Sequence, residues 1–188
     1  MTRFRLLSVV VLAVVTLGRL SSLPAADEKD KKKDPETKIK AAIEKLPEAD
    51  RKLAEAQRYC PTQPETRLGS MGQPVKLDMN GKTVFLCCES CRDDAVADPK
   101  ATLVEVEKLK KIAAAMAKLK AEDRKLAEEQ GFCAVMTKKR LGSMGTPVKL
   151  DIKGKTVFLC CKGCEGEAEA DPDATLKKAA QLIKAKSN

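Results

Sequence analysis

The apolar and polar positions of this chain form three kinds of pattern: one unbroken apolar run, several helical stripes and two short alternating pairs. The run lies within MTRFRLLSVVVLAVVTLG at the start. From about Lys38, the residues Ile39, Ile43 and Leu46 fall at the spacing of one helix face. Pro47 interrupts that stripe, and PEADRKLAEAQ restarts it with proline in the tolerated first turn, so helix is predicted over 38–58. VKLDM and KTVFL then alternate on either side of Asn80-Gly81, the preferred pair for a two-residue hairpin turn. Pairing outward from the turn puts Val75, Leu77, Val84 and Leu86 on one face, with Phe85 and Cys87 on the other. ESCRDDAVA reads as a short helix ending at Asp98-Pro99, which starts the next helix with an N-cap and a first-position proline. Leu103, Val106, Ile112, Met116 and Leu119 mark the buried stripe of one connecting helix over 99–130, with room for a bend, ended by Gly131. The plan then repeats, with Lys153-Gly154 at a second hairpin turn, Asp171-Pro172 as a helix start and a final helix over 172–188.

The repetition is literal. RLGSMGQPVKLDMNGKTVFLCCESC begins at Arg67, and RLGSMGTPVKLDIKGKTVFLCCKGC begins at Arg140. Each copy ends in three cysteines, and a lone cysteine precedes each at the same distance. The two sets are Cys60, Cys87, Cys88, Cys91 and Cys133, Cys160, Cys161, Cys164, offset by 73 positions, and they account for all 8 cysteines. Internal repetition outranks other signals in setting architecture. It predicts an α+β chain of two tandem cysteine modules of ββα type, over 59–98 and 131–171, joined and flanked by helices.

Composition limits what those modules can be. Tryptophan is absent and aromatics make up 3%, so little large apolar surface is available. Beyond the first few positions the aromatics are Tyr59, Phe85, Phe132 and Phe158. Each module has one just before its lone cysteine and one in its second strand, enough for a small core. Modules of about 40 to 50 residues are marginal without a staple.

The apolar run at the start follows a basic segment and has the length of a signal-peptide core, shorter than the ~20 residues a bilayer span takes. A signal peptide over 1–25 is expected, with Leu23 and Ala25 at the recognition positions, and the alternative is an uncleaved tether. Export to the periplasm or the medium follows, with no stable span left once the signal is removed. Residues 26–37, ADEKDKKKDPET, read as a charged linker. The formal charge is +9, of which Arg3, Arg5 and Arg19 belong to the leader. The remaining lysines are interleaved with acids along helices, without a basic face or aromatic platform, so nucleic acid is not an expected partner. The chain has no histidine, which excludes Cys–His and Ser–His catalysis. No phosphate loop or nucleophile–base pair is visible either, and a non-catalytic protein is expected.

Clustered thiols remain as the candidate chemistry. If each second strand ran to its last residue, Cys87 and Cys88 would point apart, and the next turn would return Cys91 beside one of them. Cys60, Cys87 and Cys91 then converge, with Cys88 as a fourth member or a neighbour. The same holds for Cys133, Cys160 and Cys164 with Cys161. Three readings of the eight thiols stay open. Thiolates bind Zn(II) and Cu(I), four closing a tetrahedral zinc site and three suiting a low-coordinate Cu(I), up to one ion per module. Met71 and Met144 could add thioethers, against the plainer reading of both as buried turn residues. The second reading is a disulfide framework, usual for exported chains with an even number of cysteines, which would leave a structural or protein-binding module. The third is thiol–disulfide exchange through Cys88-Glu-Ser-Cys91 and Cys161-Lys-Gly-Cys164, without the βαβ setting such motifs have.

A lone Cys in a C-P-x-x-x context, a G-x-x-V-x-L-C hairpin and a closing C-x-x-x-C together resemble the TRASH/YHS group of small, treble-clef-like metal-binding modules. The matching residues are Cys60, Cys87 and Cys91, and Cys133, Cys160 and Cys164 in the second copy. The LGSMG-x-P-V-K and F-L-C-C-x-G-C pattern is also similar to modules of planctomycete-type exported proteins and efflux adaptors. The resemblance covers 59–98 and 132–171. It departs from the group in a wider gap between the first two cysteines and in the doubled Cys87-Cys88. It implies heavy-metal binding for buffering, delivery or resistance, with a metal efflux or trafficking protein as partner.

Overall fold

The computed structural model describes residues 34–187; the expected leader at 1–25 and most of the 26–37 segment lie outside them. Among the described residues the chain is α+β. First come α1 (Pro35–Ile43), α2 (Glu48–Gln57), the hairpin of β1 (Val75–Met79) and β2 (Lys82–Leu86), α3 (Cys91–Ala97) and α4 (Pro99–Met116). Then follow α5 (Ala121–Gln130), the hairpin of β3 (Val148–Ile152) and β4 (Lys155–Leu159), α6 (Glu165–Ala170) and α7 (Pro172–Ser187).

Both hairpins have the register their turns dictate. Val75 pairs with Leu86 and Leu77 with Val84, as Val148 pairs with Leu159 and Leu150 with Val157. A two-residue I′ turn needs positive φ at both central positions. Asn80 and Gly81 supply φ values of 51° and 75°, and Lys153 and Gly154 supply 48° and 74°. Lysine is an unusual occupant of that position, and here its Nζ lies 2.7 Å from an Asp173 carboxylate oxygen.

Two elements differ from the sequence expectation. Pro35, which falls in the expected charged linker, is the first residue of α1, where its fixed φ fits and its missing N–H would have had no helical partner. The stretch 99–130, expected as one connecting helix, is two helices that part after Met116. A tightened last turn ends α4, with Leu119 N–H donating to Met116 O at 3.1 Å. No proline or glycine lies between Met116 and Gly131 to announce this break. Leu119 instead packs against the second core, and the turn brings α5 back so that Ala127 and Gln130 are buried.

The repeat is therefore longer than the cysteine stretch. The α5 sequence AEDRKLAEEQ restates EADRKLAEAQ of α2, and Ile39, Ile43 and Leu46 correspond to Ile112, Met116 and Leu119 at the same offset of 73. Helix α4 serves both copies. Its N-terminal half gives Leu103 and Val106 to the first core, and its C-terminal half gives Leu109, Ile112 and Met116 to the second. In both copies a glycine sits under the leading helix. A Cβ on Gly69 (φ 90°) would lie 2.8 Å from Ile39 O, and one on Gly142 (φ 88°) would lie 3.0 Å from Ile112 O.

The aromatic arrangement also departs from two separate small cores. Tyr59, from the first copy, packs into the second core, and the Arg140 guanidinium lies 4.2 Å from its ring centroid. Its counterpart Phe132 is only half-buried. The two copies are thus joined by more than the shared helix.

Candidate metal centre

Each thiol cluster is assembled by three elements. The lone cysteine follows its helix across a short loop closed by backbone bonds: Cys60 N–H donates to Thr66 O at 3.0 Å, and Cys133 N–H to Lys139 O at 2.9 Å. The second cysteine comes directly after β2 or β4. The last comes four residues later, where α3 begins or where a 3-10 turn (Lys162–Cys164) leads into α6. The second copy needs that turn because Gly163 and Gly166 weaken the helix that Ser90 and Asp93 allow to start earlier in the first.

A buried glutamine holds the three pieces together. Gln57 Nε2 donates to Tyr59 O at 2.9 Å and to Phe85 O at 2.6 Å, while Phe85 N–H donates to Gln57 Oε1 at 2.9 Å. Gln130 does the same to Phe132 O and to both backbone groups of Phe158, at 2.6, 2.7 and 2.9 Å. A two-stranded sheet leaves an open edge of unpaired backbone groups, and a side-chain amide carries both a donor and an acceptor to satisfy them. Sequence reasoning missed these glutamines. The signal was there, because extending the repeat upstream of the cysteines aligns Gln57 with Gln130.

The result is two buried triads, Cys60, Cys87, Cys91 and Cys133, Cys160, Cys164, with the Sγ atoms of each all within 4.8 Å of one another. All eight cysteines are free thiols. Cys87 and Cys91 Sγ are 3.5 Å apart, Cys160 and Cys164 3.7 Å, and Cys133 and Cys164 3.9 Å. Four sulfurs at ~2.3 Å around a tetrahedral ion stand about 3.8 Å from each other, so the donor set fits a soft ion with little rearrangement. The S–S bond of a disulfide is ~2.05 Å, well inside these contacts.

Cys88 and Cys161 are half-buried and fall outside the mutually close sets. They do not point away from their neighbours as strand alternation predicts, because β2 ends at Leu86 and β4 at Leu159, before the alternation reaches them. Cys88 Sγ lies 3.7 Å from Cys87 Sγ and 3.6 Å from Cys91 Sγ, and Cys161 Sγ lies 3.9 Å from Cys164 Sγ. Met71 and Met144 are 60% and 54% exposed on their turns, which overturns their reading as buried turn residues. Met136, which sequence reasoning passed over, puts its Sδ 3.9 Å from Cys160 Sγ. Gln63 occupies the same place in the first copy, its Oε1 3.9 Å from Cys87 Sγ.

The electrostatics divide each triad. Burial raises the thiols of Cys87, Cys91 and Cys164, and it pushes Cys160 up to about 11. Burial would raise Cys60 too, but hydrogen bonds from the Thr62 hydroxyl and from backbone N–H groups outweigh it and hold the thiol below its ordinary value. Cys133 is likewise lowered against its burial by backbone N–H groups, that of Met136 donating at 3.4 Å. Each triad thus has one thiol prepared to ionise, beside two that ionise only when a cation compensates their burial.

No helix among the described residues is long and apolar enough to cross a membrane. No protein-family model, no curated protein and no solved structure matches this chain, so the functional reading rests on the chemistry of its two thiol clusters.

Proposed function

We propose that this protein is an exported, non-catalytic metal-binding protein that holds a soft ion, Zn(II) or Cu(I), at each thiol cluster, up to one per module. The observation that carries the reading is the pair of buried Sγ triads, each drawn together within 4.8 Å. Three buried thiols in mutual contact make a soft-ion cage. Each triad also lies where a small module most needs a staple, at the meeting of hairpin, loop and helix. The hairpin followed by a cysteine-bearing helix is what a treble-clef-like ββα module of the TRASH/YHS kind would require, and the metal-trafficking role comes from that resemblance. Buffering, delivery or resistance outside the cytoplasm, alongside an efflux or trafficking protein, is the role such sites would fill.

Anaerobic purification of the chain from residue 26, followed by metal analysis and thiol titration, tests the reading. It predicts close to two ions per chain, with the eight thiols titratable once the metal is chelated. Eight protected cysteines and no metal would sink it in favour of a disulfide-stapled module, which the 3.5 Å contact between Cys87 and Cys91 also admits. Cys88→Ser and Cys161→Ser then decide between three and four thiolates, since unchanged affinity would remove both from the sites.

A further inference from the structure

The two clusters descend from one pattern, yet their fourth walls differ in chemical hardness. In the first, position 63 is glutamine, whose Oε1 stands 3.9 Å from Cys87 Sγ, and the Thr62 hydroxyl oxygen lies 3.3 Å from Cys60 Sγ. Cys88 Sγ lies within 3.7 Å of two triad sulfurs there and can close the cage as a fourth thiolate. In the second, the equivalents of Thr62 and Gln63 are Val135 and Met136. The oxygen donors are gone, and a thioether sulfur replaces them 3.9 Å from Cys160 Sγ, a spacing that suits two sulfurs on one ion. The same methionine donates its backbone N–H to Cys133 Sγ, so its position is tied to the cluster at two points. Met136 is 42% exposed, at the mouth of a site whose other three sulfurs are buried.

Resting on the metal-binding reading above, we propose that Met136 is the fourth sulfur ligand of the second site and makes it the Cu(I)-preferring member of the pair, leaving the first to Zn(II). A neutral thioether adds little for a divalent ion that prefers charged or nitrogen donors, whereas thiolate and thioether together select Cu(I). A fourth thiolate at the first site adds the negative charge that a divalent ion compensates better than a monovalent one.

The test uses the full chain from residue 26 and does not disturb any cysteine. Apo-protein is titrated anaerobically with Cu(I) against a chromophoric chelator, and separately with Zn(II). The wild type should take its first Cu(I) at least about tenfold more tightly than its second, a difference of about 1.4 kcal/mol. Met136→Leu, close in volume and at an exposed position, should erase that difference while moving Zn(II) affinity less than about twofold. Gln63→Met should create a second tight Cu(I) site. In selenomethionine-labelled protein, one Cu neighbour should appear at selenium by X-ray absorption and disappear in Met136→Leu. Two equal Cu(I) equivalents in the wild type, or a first equivalent indifferent to Met136→Leu, would overturn the inference and leave the general metal-binding reading standing. Failure of either cluster to retain any metal would overturn both.

Discussion

The residues that decide this molecule are the ones that hold each thiol in a chosen state. Cys60 and Cys133 are lowered, while Cys87, Cys91, Cys160 and Cys164 are raised by burial. A group raised in the fold stabilises it below its unfolded pKa, and that contribution is lost as pH climbs toward the folded value. The metal-free protein should therefore lose stability as pH rises from the ordinary thiol range of about 8.5 toward the Cys160 value of about 11. The lowered thiols, Cys60, Cys88 and Cys133, do not reverse this, because their contribution is lost only as pH falls through their own values and is fully present above the ordinary one. The loaded protein should behave oppositely, releasing metal in acid as protons compete for the sulfurs. Thermal melts of the metal-free form across that range and of the loaded form from neutral pH into acid check the pair of trends, and a loaded form indifferent to acid would contradict the second. Gln57 supplies a second test. Gln57→Leu leaves the Phe85 N–H and C=O buried without partners and should cost at least about 2 kcal/mol in denaturant unfolding. Gln130→Leu should cost less in the second copy, where Phe158 O still accepts from the Ala134 N–H at 3.3 Å.

Among the elements, α4 matters most because it is the last helix of one repeat and the first of the next. Truncations along it should be felt in different places. Val106→Ala should loosen the first hairpin, and Leu109→Ala the second, the latter at about 2–5 kcal/mol because Leu109 is fully buried. Hydrogen exchange resolved by segment distinguishes this from a uniform loss. The glycines beneath α1 and α4 are a related constraint. Gly142→Ala meets both a φ of 88° and the Ile112 carbonyl at 3.0 Å, so it should destabilise by more than about 1 kcal/mol. Hairpin register, module helices and helix starts at Asp98-Pro99 and Asp171-Pro172 were all legible as pattern. The end of α4 was not, because its cause is a leucine packed against a distant core and no local breaker marks it.

Across the whole molecule, a small set of polar contacts ties the repeats together. Glu128 on α5 receives Arg58 at 2.5 Å and Arg67 at 3.3 Å, both from the first copy, and Arg67 also pairs with Glu36. From the second copy, Arg140 stacks on Tyr59 and donates to Pro64 O. Arg58 keeps its place with a φ of 63°, where the second copy has Gly131, so the left-handed backbone there is retained in favour of the ion pair. Glu128→Ala leaves the largely buried Arg58 guanidinium without its carboxylate and Arg67 with Glu36 alone, and should cost about 3 kcal/mol. Calorimetry should then show the single unfolding transition broadening or dividing, as the halves lose their main polar link.

The amino-acid sequence alone determined that there are two copies, that each holds a turn-closed hairpin, and that its cysteines recur in one pattern. These are local matters, set by period-2 alternation, positive-φ turn residues and literal repetition. The pattern also implied the convergence of Cys60, Cys87 and Cys91 and of their counterparts, and the tertiary structure decided where Cys88 and Cys161 lie beside them. Strand alternation implied that Cys87 and Cys88 part, but where a strand stops depends on what packs beyond it, and β2 stops at Leu86, two residues short of Cys88. The placement of Met136 beside Cys160 and of Tyr59 in the neighbouring core belongs to the same class. Each is a contact between segments far apart in the chain, whose closeness no spacing records until the two repeats have folded against one helix.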